Sequence, residues 1–123
     1  MILGQINADR EAVISLVLQN VSGEETTIEA VIDKGFSDYL TLPEALIATL
    51  QLPFREAVEF TLADGKSVAV ETYALTVIWS GRERDILVLA AERGPHIGMS
   101  LLNAYRLVIV VVDGGAVTIE AHL

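Results

Sequence analysis

The dipeptide Asp64-Gly65 constrains the fold of this chain more than any other feature. It separates residues 57–62 from residues 67–79, two runs rich in β-branched and apolar side chains. Asp-Gly favours a two-residue hairpin turn because both central positions need positive φ, which Gly adopts freely and Asp tolerates. Strands joined so tightly can only be antiparallel neighbours. The same grammar recurs along the chain. Residues 12–18 and 26–32 flank the polar stretch 19–25, and residues 105–112 and 116–121 flank Asp113-Gly114-Gly115. Ser80-Gly81-Arg82-Glu83 reads as a further turn, followed by a strand over residues 85–90. Short strands at this spacing predict an all-β domain, with a small closed barrel as the architecture.

Two short helices interrupt the pattern. A strand over residues 39–42 stops at Pro43, and Pro43-Glu44 opens a helix over residues 43–50 that ends near Pro53. Pro suits the first helical position and Glu complements the positive end of the helix dipole. A second helix is expected within residues 97–103, after the loop Gly94-Pro95-His96. There is no repeat, linker or low-complexity segment, so residues 1–123 read as one domain.

Composition narrows the function classes. A formal charge of −9 argues against nucleic acid and anionic membranes as partners, because both reward basic patches. With no cysteine, disulfides and thiolate metal sites are excluded. His96 and His122 are the only histidines and form no motif, so no metal, no cofactor and no serine triad is expected. Met1 to Ile6 lacks a basic segment and a long apolar core, so a signal peptide is not expected there. The longest aliphatic run, residues 107–112, is too short to cross a bilayer, and a cytoplasmic protein is the expectation. The hydrophobic fraction of 52% and mean hydropathy of +0.50 are high for a small monomer. Part of that apolar surface is expected to meet a partner subunit.

One stretch carries candidate chemistry: Val31-Ile32-Asp33-Lys34-Gly35-Phe36-Ser37-Asp38-Tyr39-Leu40-Thr41-Leu42-Pro43. An apolar run delivers Asp33 to a strand end, and Gly35 allows a tight turn there. Taken alone, an Asp before Gly is a turn former. Ser37 is placed to hydrogen-bond the outer oxygen of Asp33 or merely to close the turn, and Asp38 reads as a solvated loop residue. Trp79 and Tyr73 read as strand packing, and His96 as a partly exposed loop side chain.

In its hydrophobic frame this stretch resembles the active-site loop of retropepsin-like (clan AA) aspartic proteases, closest to the small prokaryotic form Asp-Thr-Gly-Phe-(Ser/Thr)-x-x-Leu-Thr-Leu-Pro. Two further pieces resemble the same family in order and spacing. The hairpin with Ala63, Asp64, Gly65 and Lys66 at its tip stands where the family has a substrate-covering flap. His96-Ile97-Gly98-Met99-Ser100-Leu101-Leu102 is similar to the family's apolar-Ile-Gly motif and following helix, with Ile97 and Gly98 as its core. The resemblance spans nearly the whole chain. It implies an aspartic endopeptidase in which a water is activated between Asp33 of two subunits. That arrangement means a homodimer acting on a peptide or unfolded protein, because the chain supplies only one such Asp-x-Gly.

Lys34 departs from the pattern, which has Thr or Ser there. Lysine offers donors but no acceptor and cannot reproduce a short hydroxyl network across the dimer axis. Two readings follow. Lys34 turns to solvent and leaves a working dyad, or it disables the site and leaves a peptide-binding or dimerisation module of the same fold. A β domain of unrelated function remains a third alternative, which a strict monomer would favour.

Overall fold

The computed structural model describes residues 1–122. Ten strands and two short helices follow one another among them. The order is β1 (Ile2–Ile6), β2 (Ala12–Gln19), β3 (Glu25–Ile32), β4 (Leu40–Pro43), α1 (Glu44–Leu50), β5 (Phe54–Thr61), β6 (Ser67–Trp79), β7 (Arg82–Ala91), β8 (His96–Ile97), α2 (Met99–Leu102), β9 (Tyr105–Ile109) and β10 (Ala116–Ala121).

Alternation explains β2: Ala12, Ile14, Leu16 and Leu18 are buried while the residues between them are not. Period-two burial of this kind marks a strand with one face on the core. The core is completed by Leu40 and Leu42 of β4, Val77 and Trp79 of β6, Val88 of β7, Ile97, Leu101, and Val117 and Ile119 of β10. At the predicted hairpin, Gly65 has φ +85° and Lys66 O accepts from Leu62 N–H at 2.7 Å. α1 begins one residue later than expected. Pro43 is its extended N-cap (ψ 145°) rather than its first helical residue, and Gln51 closes the helix in the left-handed conformation that Gly more often supplies.

All ten strands belong to one sheet, in the order β5-β6-β7-β4-β8-β3-β2-β1-β10-β9. The long β6 shares one of its edges between two neighbours. Its first half pairs with β5, and Thr76–Ile78 pair with Val17–Gln19 of β2. That second pairing makes the sheet fold back on itself through β2, β3, β8, β4, β7 and β6. β5 and β9 remain free edges. The all-β expectation therefore stands: six strands, β2, β3, β8, β4, β7 and β6, pair in a continuous circuit, while β5 and β9 extend from it as open edges.

Local differences have local causes. β1 was not anticipated: it is short, carries Gly4, and is held by β10 and β2 rather than by any pattern of its own. His96 and Ile97 form strand β8, not a loop and a helix start, because they are wedged between β3 and β4. His96 is accordingly half-buried, with its N–H on Thr41 Oγ1 at 3.1 Å. Arg82 and Glu83 already belong to β7, leaving only Ser80 and Gly81 to turn. β9 stops at Ile109, since Val112 N–H bonds back to Val110 O and turns the chain. No described helix is long and apolar enough to cross a membrane.

Candidate active site

The sheet delivers Asp33 to the end of β3. Val31 and Ile32 run parallel to His96 and Ile97, and the ladder continues one residue further, with Asp33 N–H donating to Ile97 O at 2.9 Å. The chain then turns, and Phe36 N–H donates to Asp33 O at 3.2 Å. Within this turn Gly35 N–H donates to Asp33 Oδ1 at 2.9 Å, so the loop backbone orients the carboxylate. The sequence offered the Ser37 hydroxyl for such a contact. Ser37 instead presents its carbonyl to Ser100 Oγ at 2.6 Å. Asp33 and Phe36 are half-buried, whereas Lys34, Gly35 and Ser37 are exposed.

The loop is clamped from the other side by Gly98 and α2. Gly98 N–H donates to Tyr39 O (3.0 Å), Met99 N–H to Phe36 O (2.8 Å) and Ser100 N–H to Asp38 O (3.2 Å). A Cβ on Gly98 would stand 2.0 Å from Asp38 O and 2.6 Å from Phe36 Cδ2, so only glycine permits this approach. The structure thus brings together two pieces far apart in the chain that the sequence singled out separately: the Asp33 loop and the Ile97-Gly98 motif.

The hairpin tip stays apart from them. Ala63, Asp64, Gly65 and Lys66 are exposed, and Lys66 N–H closes the turn on Asp64 Oδ1 at 2.9 Å. Between the β5–β6 hairpin and the loop after Asp33 lies a cleft of about 790 Å³, of a size that takes peptide side chains. Asp38, Tyr39, Val58, Phe60, Thr72 and Leu87 are among the residues that line it. Asp38 is therefore a half-buried cleft residue rather than a solvated loop position. The strand residues facing it were not singled out from the sequence, because which face of β5 and β7 looks onto the cleft depends on long-range pairing. Tyr39 also lies under Arg84, whose guanidinium is 5.7 Å from the ring centroid. No group of three or more acidic, histidine or cysteine side chains gathers as a metal site among the described residues.

Comparison with solved structures gives this geometry a frame. The chain superposes on a retropepsin-like aspartic protease from Rickettsia conorii with a TM-score of 0.61 and 23% identity, covering 99% of this chain and 91% of that one. It superposes on EIAV protease complexed with the inhibitor HBY-793 with a TM-score of 0.56 and 17% identity, covering 78% and 88%. The fold is retropepsin-like. No protein-family model and no curated protein matches the sequence. At these identities the likeness speaks to the retropepsin-like fold, and the roles of individual residues rest on the geometry above.

Proposed function

We propose that this chain is one subunit of an aspartic endopeptidase, with Asp33 of two copies forming the catalytic dyad. The supporting observation is the hold on Asp33: a strand-end carboxylate, oriented by Gly35 N–H and fixed by the Ile97-Gly98 segment, in a retropepsin-like fold. One chain presents one such carboxylate, so the chemistry needs a second copy.

Two carboxylates about 3 Å apart cannot both ionise and share one proton. The ionised member takes a proton from a water held between them as the water attacks the peptide carbonyl. The protonated member donates a hydrogen bond to the carbonyl oxygen and then helps protonate the leaving nitrogen. An extended peptide would lie between the loop and the hairpin tip of residues 63–66, bound largely through main-chain hydrogen bonds. Its side chains would enter the cleft beside Asp38 and Phe60.

The second reading is a silent peptide-binding module, and Lys34 favours it. Two ammonium groups beside the axis favour ionisation of both aspartates and oppose the shared proton. Cleavage of a mixed peptide library from pH 3 to 7 separates the readings. Cleavage by the natural chain that vanishes in Asp33→Asn supports the protease. Silence in the natural chain with cleavage by Lys34→Thr identifies a site disabled at one position, and silence in all three overturns the protease.

A further inference from the structure

The cleft between the β5–β6 hairpin and the loop after Asp33 is unevenly lined. Residues directly opposite on neighbouring strands share one face of the sheet. On the cleft face Ala74 pairs with Leu87, and two residues further Gln19, Thr76 and Asp85 lie in one row. Glu56, opposite Thr72, is separated from Asp85 by the Ala74–Leu87 row. Apolar floor therefore runs up to a polar end. Leu87 is 39% exposed there, although it sits on the wall of a cleft.

Two carboxylates meet that polar end. Asp85 is oriented by Thr76, whose Oγ1 donates to Asp85 Oδ1 at 2.7 Å. Asp38 arrives from the loop: β4 runs parallel to β7 with Leu40 opposite Val88, so the chain before Leu40 comes in toward the Asp85 end of β7. Ser100 N–H on Asp38 O, at 3.2 Å, fixes the backbone there. No cation of the described residues pairs with either carboxylate, and the ion pair among them is Arg106–Glu120. Arg84, next to Asp85, is engaged elsewhere, with Nη1 on Leu101 O at 3.3 Å and its guanidinium beside the Tyr39 ring. Arg55 also lines the cleft, but at the register break of β5 beside Glu56. Two like charges at one end of an apolar cleft oppose an acidic ligand and are both stabilised by a cation.

We propose that the cleft selects peptides carrying a long basic side chain, lysine or arginine, whose aliphatic stem covers Ala74 and Leu87 and whose cationic head meets Asp38 and Asp85. This rests on the reading that the cleft takes peptide side chains, and it names which ones. Lysine and arginine bury their methylenes along apolar surface while the head stays among polar groups, which matches a lining of this kind. A purely aliphatic side chain would cover Leu87 and leave both carboxylates unanswered. The formal charge of −9 on the chain adds a long-range attraction for basic peptides.

Binding is read by fluorescence polarisation on Asp33→Asn, so that no cleavage intervenes. The probes are labelled peptides of alanine and valine in which one residue, at each position in turn, is lysine, arginine, norleucine or glutamate. At one position the lysine and arginine peptides should bind about tenfold more tightly than the norleucine peptide, with glutamate weakest. Added salt should shrink that advantage. Asp85→Asn and Asp38→Asn should each remove most of it, and Asp85→Lys should turn the preference toward glutamate. Glu59→Gln removes the same charge from the opposite face of β5 and should leave the preference intact. Circular dichroism checks that each variant folds. Absence of binding, equal binding of the lysine and norleucine peptides, or a preference weakened as much by Glu59→Gln as by Asp85→Asn would overturn the inference. Asp33-dependent cleavage by the natural chain that ignores basic residues overturns the inference alone. Basic-selective binding without any cleavage overturns the proposed endopeptidase and upholds the selectivity.

Discussion

Replacing Gly98 with alanine tests whether the clamp on the Asp33 loop is as tight as its geometry implies. The added Cβ would sit 2.0 Å from Asp38 O and 2.8 Å from Asp38 C, both backbone atoms that cannot rotate away. Relief requires the loop and the β8–α2 segment to separate by more than about 1 Å, since ordinary contact of this kind begins near 3.4 Å. That movement lengthens the bonds from Gly98 N–H to Tyr39 O and from Ser100 N–H to Asp38 O, now 3.0 and 3.2 Å. Overpacking of this sort costs about 1–3 kcal/mol. Each weakened hydrogen bond adds roughly 0.5–1.5 kcal/mol. The expected loss is about 3 kcal/mol, or some 10 °C in Tm for a domain of this size. Gly65→Ala is the control: its Cβ would meet nothing within 4 Å, and only the positive φ of +85° opposes it. That substitution should cost about 1 kcal/mol. Urea unfolding of both variants gives the comparison. A Gly98→Ala protein no less stable than Gly65→Ala would refute the close approach and with it the bracing of Asp33.

Three other predictions follow from the same contacts. Leu101→Ala empties a fully buried position on α2 and should lower stability by about 2–5 kcal/mol in denaturant unfolding, while Met99→Ala on the exposed side of that helix should change it little. Thr41→Val removes the acceptor of His96 N–H and should cost about 1–2 kcal/mol, with faster hydrogen exchange at the His96 amide. Phe60→Ala should raise KM for peptide cleavage with kcat nearly unchanged, because Phe60 walls the cleft away from Asp33.

Much of the fold is legible in the sequence where the information is local. Residues 67–79 and 116–121 are strands with the expected limits, because each is bounded by turn residues at one end and patterned for one buried face. β1 is illegible on its own: Ile2 pairs with Ile119, and nothing near Ile2 encodes a partner at the far end of the chain. β8 is two residues long and exists only because β3 and β4 flank it. For the site, Asp33 and the Ile97-Gly98 pair each stand out in sequence, yet their contact is a property of the parallel β3–β8 pairing. The orientation of Asp33 by Gly35, rather than by Ser37, depends on backbone geometry within the turn. Asp38 misleads for the same reason, since a polar residue in a loop reads as solvated until the strand beside it is placed.

The central claim is that two copies of Asp33 act together, and subunit mixing tests it most directly. Natural chain and Asp33→Asn are combined in equal amounts at fixed total concentration, allowed to exchange, and assayed for peptide cleavage. If each active site draws one aspartate from each of two copies, random pairing leaves roughly a quarter of the activity of the undiluted natural chain. Retention of about half would mean that each chain works alone, and would contradict the shared dyad.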